Sequence, residues 1–246
     1  MKSFYQKLLH FLSKNLKKKE KYQGEVNFWR SVLEDYVLWY TGKKTLYSEK
    51  PPKNHQKIKG FSLRDSAILT WGKVHQEKKY LQDLNLKSHA FRGKTLLDIG
   101  SGPHPSALCF KGIDLYCLDP LLPEYIKIGF PIHYYQKVKF IHGKSEKIPI
   151  PSNYFDVIIS VNAIDHVDDI EITAKEMKRV LKKNGHLRLH IHYHKATQTE
   201  PIELNDKIVS KLFKWCKGFH KVSEHKEKRG HILEDKSEKY ALWSNF

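Results

Sequence analysis

The sequence predicts a doubly wound α/β fold, in which a mostly parallel sheet of seven strands carries helices on both faces. From about residue 93 onward, short apolar runs alternate with helical patterns, which is the signature of βαβ units. The run at 155–161 is hydrophobic almost throughout, as expected for a central strand that is buried on both faces. Residues 91–246 are therefore predicted to form an α/β domain, and residues 1–90 an N-terminal helical extension.

Three helices are predicted in the N-terminal extension. In residues 1–22, apolar side chains recur every four positions while lysines fill the other face. Such a basic amphipathic helix either lies on an acidic membrane surface or packs on the protein core, and packing is the favoured interpretation. Residues 25–48 are predicted to form the second helix with Gly42 as its C-cap, and residues 62–84 the third.

The strands of the α/β domain are predicted from apolar runs bounded by turn residues. Five parallel strands and a final antiparallel pair are expected at 95–99, 114–119, 138–141, 155–161, 187–193, 219–226 and 239–245. Helices are expected at about residue 106, over 170–182 with Asn184-Gly185 ending it, and over 206–217.

Composition limits the classes of protein that fit. Hydrophobic residues make up 40% of the 246 residues and charged residues 29%, as in a folded globular protein. No run of about 18 apolar residues occurs, so no transmembrane helix is predicted. The three cysteines (Cys109, Cys117 and Cys216) lack C-x-x-C spacing and suit a reducing compartment. We therefore expect a cytoplasmic protein, either free or peripheral at a membrane surface.

The formal net charge of +17 is the most unusual feature of the composition. It favours an anionic partner, such as nucleic acid, an acidic membrane surface or a phosphorylated substrate. The lysines are spread along the chain, however, and only Lys17-Lys18-Lys19 forms a tight run. A lysine-rich genome produces the same composition without any functional cause, so the charge leaves both interpretations open.

A glycine-rich turn follows the first predicted strand. Asp98-Ile99 leads into Gly100-Ser101-Gly102, where a ligand can approach the backbone closely. Asp119 ends the second strand about twenty residues later, where a carboxylate can accept both hydroxyls of a ribose. Pro103-His104-Pro105 replaces the third glycine of a dinucleotide fingerprint and lacks the N–H donors that a pyrophosphate needs. The turn therefore predicts an adenosine ligand without phosphates.

Residues 93–194 resemble the class I S-adenosylmethionine-dependent methyltransferases, with five motifs in order. Besides the glycine turn and Asp119, the loop 143–149, the strand at 155–158 and the turn at 180–187 resemble family motifs. The resemblance implies a Rossmann-like methyltransferase fold and S-adenosyl-L-methionine as cofactor. Carried over onto this sequence, it implies that the cofactor is bound by Asp98, Gly100, Ser101, Gly102, Asp119, Pro120, Ser145, Glu146 and Asn162. Lys144 departs from the family, whose members often carry aspartate there.

The predicted catalytic residues are Asp165, His166 and His194. Asp165-His166 follows the fourth strand, where ligands collect in open α/β sheets. Methyl transfer to oxygen or nitrogen requires an aligned acceptor and removal of a proton, which histidine can perform near neutral pH. The alternative is a structural role, in which His166 caps the next helix and Asp165 contacts solvent.

A metal site is not predicted. His190, His192 and His194 alternate along the fifth strand and share one face, so together with Asp165 or His166 they could surround an ion. Hard ions prefer oxygen ligands, however, and alternate residues of a strand lie about 6–7 Å apart, which spreads the histidines along the sheet. We instead expect His190 to be packed and His192 or His194 to lie near the acceptor.

Two segments further resemble a bacterial and viral branch of the family that is often found beside glycan-assembly functions. They are Asp119–Tyr125 and Asn162–His166. The resemblance implies O-methylation of a sugar in a glycan, or in a nucleotide-linked or lipid-linked precursor. The alternatives are an RNA methyltransferase, favoured by the charge, and a non-catalytic subunit that binds S-adenosylmethionine. The expected partner is thus a small-molecule or glycan acceptor, with nucleic acid less favoured.

Overall fold

The computed structural model describes residues 2–43, 57–227 and 238–246, with the side chains of residues 20–43, 57–226 and 238–246. Within this part of the chain, seven strands form one sheet in the order β3-β2-β1-β4-β5-β7-β6. Strands β1 to β5 are parallel, and β7 is antiparallel to both of its neighbours. The strands are β1 (Thr95–Ile99), β2 (Asp114–Asp119), β3 (Lys139–His142), β4 (Phe155–Val161), β5 (Leu181–Tyr193), β6 (His220–Glu227) and β7 (Glu238–Ser244). The predicted fold class is confirmed.

Strand β1 lies at the point where the direction of winding reverses. It pairs with β2 on one side and with β4 on the other, so the loops that follow β1 and β4 leave from adjacent strand ends. In open α/β sheets, ligands bind in the crevice beyond the carboxyl ends of the strands at such a reversal. The topology therefore indicates where a ligand site is expected.

Both faces of the sheet are buried, because β4 contributes apolar side chains to each. Ile158 packs on the face that is covered by helix α5 (Ile170–Val180). Val157 and Ile159 pack on the opposite face, together with Tyr80 and Leu84 from the N-terminal extension. Burial on both faces explains why the sequence of this strand is a continuous apolar run rather than an alternating one.

Helix α1 (Lys2–Tyr40) is one continuous helix of 39 residues. The prediction of two separate helices, 1–22 and 25–48, is wrong in this respect, because the chain remains helical through Gly24. The predicted C-cap is confirmed: Gly42 has a φ of 75°, and its N–H donates to Trp39 O at 3.0 Å. The N–H of Lys43 donates to Leu38 O at 2.9 Å, which completes a Schellman motif. The side chains of residues 2–19, on which the amphipathic pattern depends, lie outside the described part.

The second helical segment of the extension agrees with the predicted range 62–84. It consists of α2 (Leu63–Trp71), a π-helical turn (Gly72–Gln76) and α3 (Glu77–Asp83), and Ser62 caps it by accepting from Asp65 N at 2.9 Å. A Cβ atom on Gly72 would lie 2.2 Å from the ring of His104, so glycine is what allows the helix to approach the turn after β1.

The extension packs on the α/β domain through an apolar cluster of its own. Helix α1 contributes Val26, Leu33 and Tyr36, and α2 contributes Ile68 and Trp71. Their partners include residues in and beside helix α4 (Leu122–Ile128), namely Leu121, Leu122, Tyr125 and Phe130. The described half of α1 is thus held against the core. No helix in the described residues is both long and apolar enough to cross a membrane.

Three predicted helix boundaries are wrong. The helix expected near residue 106 is a single 3₁₀ turn (Ser106–Cys109), against which α3 packs. Helix α5 ends at Val180, and β5 begins at Leu181, so Asn184-Gly185 lies within the strand. Helix α6 (Asp206–Leu212) ends five residues before the predicted residue 217.

Candidate functional site

A cavity of about 680 Å³ opens at the carboxyl ends of β1, β2 and β4, beneath helix α1. Its volume is within the range of small-molecule sites. Of the nine residues predicted to bind the cofactor, all except Asp98 line this cavity. Of the three predicted catalytic residues, His166 lines it, whereas Asp165 and His194 lie behind its wall. The structure therefore brings the predicted site residues to one place.

The glycine turn after β1 has a backbone that other residues rarely adopt. Gly100 has a φ of 70° and Gly102 a φ of 67°. A Cβ atom on Gly100 would also lie 2.3 Å from the Cβ of Ala163, in the loop after β4. Glycine is therefore required at position 100 both for the backbone conformation and for the close approach of the two loops.

Asp119 joins the glycine turn to the loop after β2. Its Oδ2 accepts from Gly102 N at 2.9 Å, and its Oδ1 accepts from Leu121 N at 2.8 Å. Burial raises the pKa of this carboxyl to about 6, although the two N–H groups act in the opposite direction. Each carboxylate oxygen can accept more than one hydrogen bond, so both oxygens of Asp119 can still accept from the hydroxyls of a ligand in the cavity.

Asp98 lies at the end of β1 and is completely buried. Its Oδ1 accepts from Tyr80 OH at 3.4 Å, and its Oδ2 has no hydrogen-bond partner in the described part of the chain. Burial raises the pKa of Asp98 to about 8. Because Asp98 does not line the cavity, its predicted contact with a cofactor stays a prediction.

The loop after β3 is held by the segment that precedes α5. Glu146 Oε1 accepts from Asp168 N at 2.6 Å and from Asp169 N at 3.0 Å, while Ser145 Oγ lies 3.0 Å from Thr173 Oγ1. Lys144 forms an ion pair with the Asp168 carboxylate. The residue that departs from the family pattern thus closes this edge of the cavity.

A second lysine, Lys21 of α1, meets the same carboxylate from the other side. Its Nζ lies 3.4 Å from Asp168 Oδ1 and also donates to His166 O. Burial lowers the pKa of Lys21, while Asp168 acts in the opposite direction. Helix α1 is therefore anchored to the cavity rim by a partly buried charge.

The loop after β4 is shaped by Asn162, which has a φ of 49°. Its N–H donates to His190 O at 2.9 Å, and its Oδ1 lies 2.9 Å from His190 Nδ1. His190 is 1% exposed and stacks on Tyr240 with ring centroids 5.3 Å apart. His190 is thus packed, as predicted, and fixes a loop that lines the cavity.

His166 lies between two carboxylates from distant parts of the chain. Its Nδ1 is 3.6 Å from Glu25 Oε2 of α1, and its Nε2 is 3.5 Å from Glu200 Oε1 of the loop after β5. Burial alone would lower the pKa of His166, but Glu200, Asp165 and Glu25 outweigh it and raise the pKa to about 9.

Asp165 and His194 form a pair behind His166. Asp165 is completely buried, and its Oδ2 lies 3.0 Å from His194 Nε2. His194 Nδ1 lies 2.7 Å from Lys195 O. The hydrogen bond to Asp165 raises the pKa of His194 to about 9. This contact was not predicted, and neither Asp165 nor His194, both predicted as catalytic, lines the cavity.

Several residues at this end of the cavity are not among those predicted from the sequence. These are Glu25, Glu200 and Glu238. His192, one of the two histidines predicted to lie near the acceptor, also lines this end, and its ring stacks on Tyr240 with centroids 4.7 Å apart. The polar composition of the loop that contains Glu200 could have indicated a contact with a hydroxyl-rich acceptor. No sequence pattern indicated Glu25 or Glu238, because helix α1 and strand β7 reach the site only through the tertiary fold.

Comparison with known proteins gives a consistent result. Residues 97–189 match the family model described as a methyltransferase domain. The chain is 30% identical over 102 residues to the uncharacterised methyltransferase YcgJ of Bacillus subtilis, covering 40% of each protein. It is 25% identical over 145 residues to the demethylmenaquinone methyltransferase of Geobacillus kaustophilus, covering 56% of this chain and 60% of that protein. The aligned segments thus span less than two thirds of these relatives.

Solved structures share the fold. The crystal structure of YcgJ has a TM-score of 0.52 at 16% identity and covers 69% of this chain and 95% of that one. The structure of a Burkholderia thailandensis 1,6-didemethyltoxoflavin-N1-methyltransferase with bound 1,6-didemethyltoxoflavin and S-adenosylhomocysteine has a TM-score of 0.51 at 15% identity. It covers 71% of this chain and 80% of that one. Residues 97–189 are thus similar to a methyltransferase domain, as the predicted resemblance requires.

The predicted cofactor, S-adenosyl-L-methionine, agrees with the match of residues 97–189 to a methyltransferase domain. The glycine turn and Asp119 lie together at one end of the cavity, where that cofactor is expected. Beyond the methyltransferase domain, helix α1, the loop containing Glu200 and strand β7 contribute side chains to the other end.

Proposed function

We propose that this chain transfers the methyl group of S-adenosylmethionine to a hydroxyl of a neutral, hydroxyl-rich acceptor, namely a sugar of a glycan or glycan precursor. The observation that carries the proposal is the division of the cavity into two chemically different ends. One end consists of the glycine turn and Asp119, and the other of His166 between Glu25 and Glu200.

The histidine and carboxylates supply what methylation of oxygen requires. As the methyl group moves from the sulfonium sulfur to the acceptor oxygen, the C–S bond breaks, the C–O bond forms and the hydroxyl loses its proton. His166 lines the cavity and has a carboxylate oxygen within 3.6 Å of each ring nitrogen. We infer that the neutral form of His166, the minor form below its pKa of about 9, contacts the acceptor hydroxyl and accepts its proton.

The charge of the cavity supports a neutral acceptor. Among the described residues that line it are three lysines, Lys21, Lys79 and Lys144, and seven acidic residues, Glu25, Asp83, Asp119, Glu146, Asp168, Glu200 and Glu238. Two of the lysines already pair with Asp168. Such a lining repels phosphates, so the net charge of the whole chain does not favour RNA as the acceptor. In a phosphate-linked precursor, the sugar would enter while the phosphate stays outside.

Aromatic side chains form the remaining wall and suit the apolar face of a ring. Phe28, Trp29 and Trp71 line the cavity, and Trp29 Nε1 donates to Glu25 Oε1 at 2.8 Å. An apolar surface with a few fixed polar groups is the usual design of a small-molecule site.

The acceptor class is tested with radiolabelled S-adenosylmethionine and two acceptor panels, one of neutral glycans and monosaccharides and one of RNA oligonucleotides. We expect base-stable label in the glycan panel, with rates that change little with salt. Label in RNA with none in glycans would contradict the sugar acceptor. Cofactor binding without transfer to any acceptor would favour the non-catalytic alternative.

A further inference from the structure

We propose that Asp165, His192, His194 and Glu200 bind one divalent metal ion at the acceptor end of the cavity. The site itself is inferred from the geometry of this chain. Its role in activating the acceptor rests on the proposed function.

The four side chains converge on one small volume. Each offers one ligand atom, and these atoms all lie within 4.8 Å of one another. Asp165 Oδ2 is 3.0 Å from His194 Nε2, and His192 Nδ1 is 3.7 Å from Glu200 Oε1. Ligands at about 2.1 Å from a tetrahedral ion are roughly 3.4 Å apart, so small side-chain movements would place all four around one ion.

The orientation of His194 is that of a metal ligand. Its Nδ1 lies 2.7 Å from Lys195 O, where its N–H donates to a backbone carbonyl. Histidines that bind metals almost always donate their second N–H to a carbonyl or a carboxylate, which fixes the tautomer. Nε2, which is hydrogen-bonded to Asp165 in the absence of an ion, is then the nitrogen that would lose its proton and bind the metal. The second nitrogen of His192 likewise faces a carboxylate, at 3.7 Å from Glu238 Oε2.

Asp165 supplies an independent observation. Its side chain is completely buried, yet Oδ1 has no hydrogen-bond partner in the described part of the chain. A buried carboxylate is strongly unfavourable unless it is paired or coordinates a metal. The single hydrogen bond to His194 leaves Asp165 incompletely satisfied, and an ion would satisfy it.

The ligand chemistry indicates the class of metal. Two imidazole nitrogens and two carboxylate oxygens suit zinc, manganese or ferrous iron, whereas magnesium and calcium prefer sites made of oxygen alone. The sequence argument against a metal depended on the spacing of histidines along a strand. That argument omits side-chain orientation: the rings of His192 and His194 converge, with centroids 4.5 Å apart. Glu200 and Asp165 then complete the set from two loops.

The position of the site indicates its use. His192 and Glu200 line the cavity, while Asp165 and His194 hold the site from behind. An ion there that takes the acceptor hydroxyl as a fifth ligand would act as a Lewis acid and lower the pKa of that hydroxyl. The hydroxyl proton would pass to the neutral form of His166, and the oxygen would attack the methyl carbon as the C–S bond breaks.

The test is calorimetric titration of chelator-stripped full-length protein with Zn²⁺, Mn²⁺ or Mg²⁺ alone. We expect one equivalent of Zn²⁺ or Mn²⁺ to bind, and more tightly than Mg²⁺. Asp165→Asn and His194→Ala should each weaken binding by at least about tenfold. Glu200→Gln, a change in a half-buried loop residue, should do the same without disturbing the core. His220→Ala is the matched control, since His220 is an exposed histidine at the opposite end of the sheet.

Two results would overturn the site: no saturable binding of Zn²⁺ or Mn²⁺, or wild-type affinity in all three ligand variants. S-adenosylmethionine binding and methyl transfer are measured separately, so that the two proposals fail independently. Full transfer activity in excess chelator would remove the metal from the reaction while leaving the proposed methylation intact. One tightly bound ion in a protein that binds no S-adenosylmethionine would support the site and contradict the proposed function.

Discussion

The two ends of the cavity are built in different ways. The cofactor end consists of backbone from short, continuous segments, namely the turn at Gly100–Gly102 and the loop after Asp119, joined by hydrogen bonds of 2.8 to 2.9 Å. The acceptor end consists of side chains from five separate segments, among them Glu25 of α1 and Glu238 of β7. A site of the first kind is visible in the sequence as a motif. A site of the second kind appears only when the chain is folded.

If the two ends act separately, a change at the acceptor end should affect turnover without affecting the cofactor. We expect His166→Ala to lower kcat by about 10²- to 10⁴-fold, the usual contribution of a general acid–base group. The affinity for S-adenosylmethionine should stay within about twofold of wild type, because His166 does not touch the glycine turn. Steady-state kinetics with calorimetry of the cofactor measures both. Equal losses in kcat and in cofactor affinity would show that the two ends are not separate.

The converse change is Asp119→Ala at the cofactor end. Two hydrogen bonds to a charged group contribute about 1.5–3 kcal/mol each, so cofactor affinity should fall at least about 100-fold. Calorimetric titration with S-adenosylmethionine measures this loss, with His220→Ala as a folded control. Unchanged affinity would remove Asp119 from the cofactor site.

The buried carboxyl of Asp98 predicts a pH dependence of stability. Its pKa is about 8 in the folded protein, against 3.8 for a free aspartate, because burial disfavours the charged form. The unfolded state therefore binds fewer protons between pH 4 and 8, and the free energy of unfolding falls as the pH rises through this window. In the Asp98→Asn variant, the free energy of unfolding should no longer fall by this contribution, on the order of a few kcal/mol, between pH 4 and pH 8. Urea denaturation of both proteins at several pH values measures the difference, and identical slopes would contradict the prediction.

The smallest expected effect comes from comparing two Gly→Ala substitutions. The comparison distinguishes the contribution of close packing at the glycine turn from that of its backbone conformation. Gly100→Ala adds a Cβ that would collide with Ala163. It also places alanine at a φ of 70°, a backbone conformation that alanine disfavours. Gly93→Ala is the matched control, because Gly93 has a φ of 76° but no atom within 4 Å of the added Cβ. We expect a loss of about 1–3 kcal/mol in unfolding free energy for Gly93→Ala, and a larger loss for Gly100→Ala together with about tenfold weaker cofactor binding. Equal effects would show that contact with the loop after β4 is unimportant.

The difference between the two ends also explains how far the sequence could lead. The bounds of β1, β2 and β4 agree with the prediction residue for residue, because buried parallel strands are apolar runs that end at turns. The continuity of helix α1 was missed, because the patterns over 1–22 and 25–48 were interpreted as two helices on either side of Gly24. A Cβ at Gly24 would lie 2.9 Å from Thr199 Cγ2, so this glycine allows a loop to approach the helix rather than ending it.

At the acceptor end, the sequence indicated Asp165 and His166 from their position after β4, and His194 from its alternation along β5. It could not indicate Glu25, because the contact with His166 joins residues far apart in the chain. It also could not show that Asp165 and His194 pair behind the cavity wall, since side-chain orientation depends on neighbouring strands. Motifs therefore identified the cofactor, while the chemistry of the acceptor required the fold.

A crystal structure of the complex with S-adenosylhomocysteine tests the central claim most directly. We predict that both ribose hydroxyls donate to Asp119, that the amino-acid part of the ligand lies along the turn at Gly100–Gly102, and that its sulfur faces His166. A nucleoside bound away from Asp119, or a sulfur that faces away from His166, would contradict the division of this cavity into a cofactor end and an acceptor end.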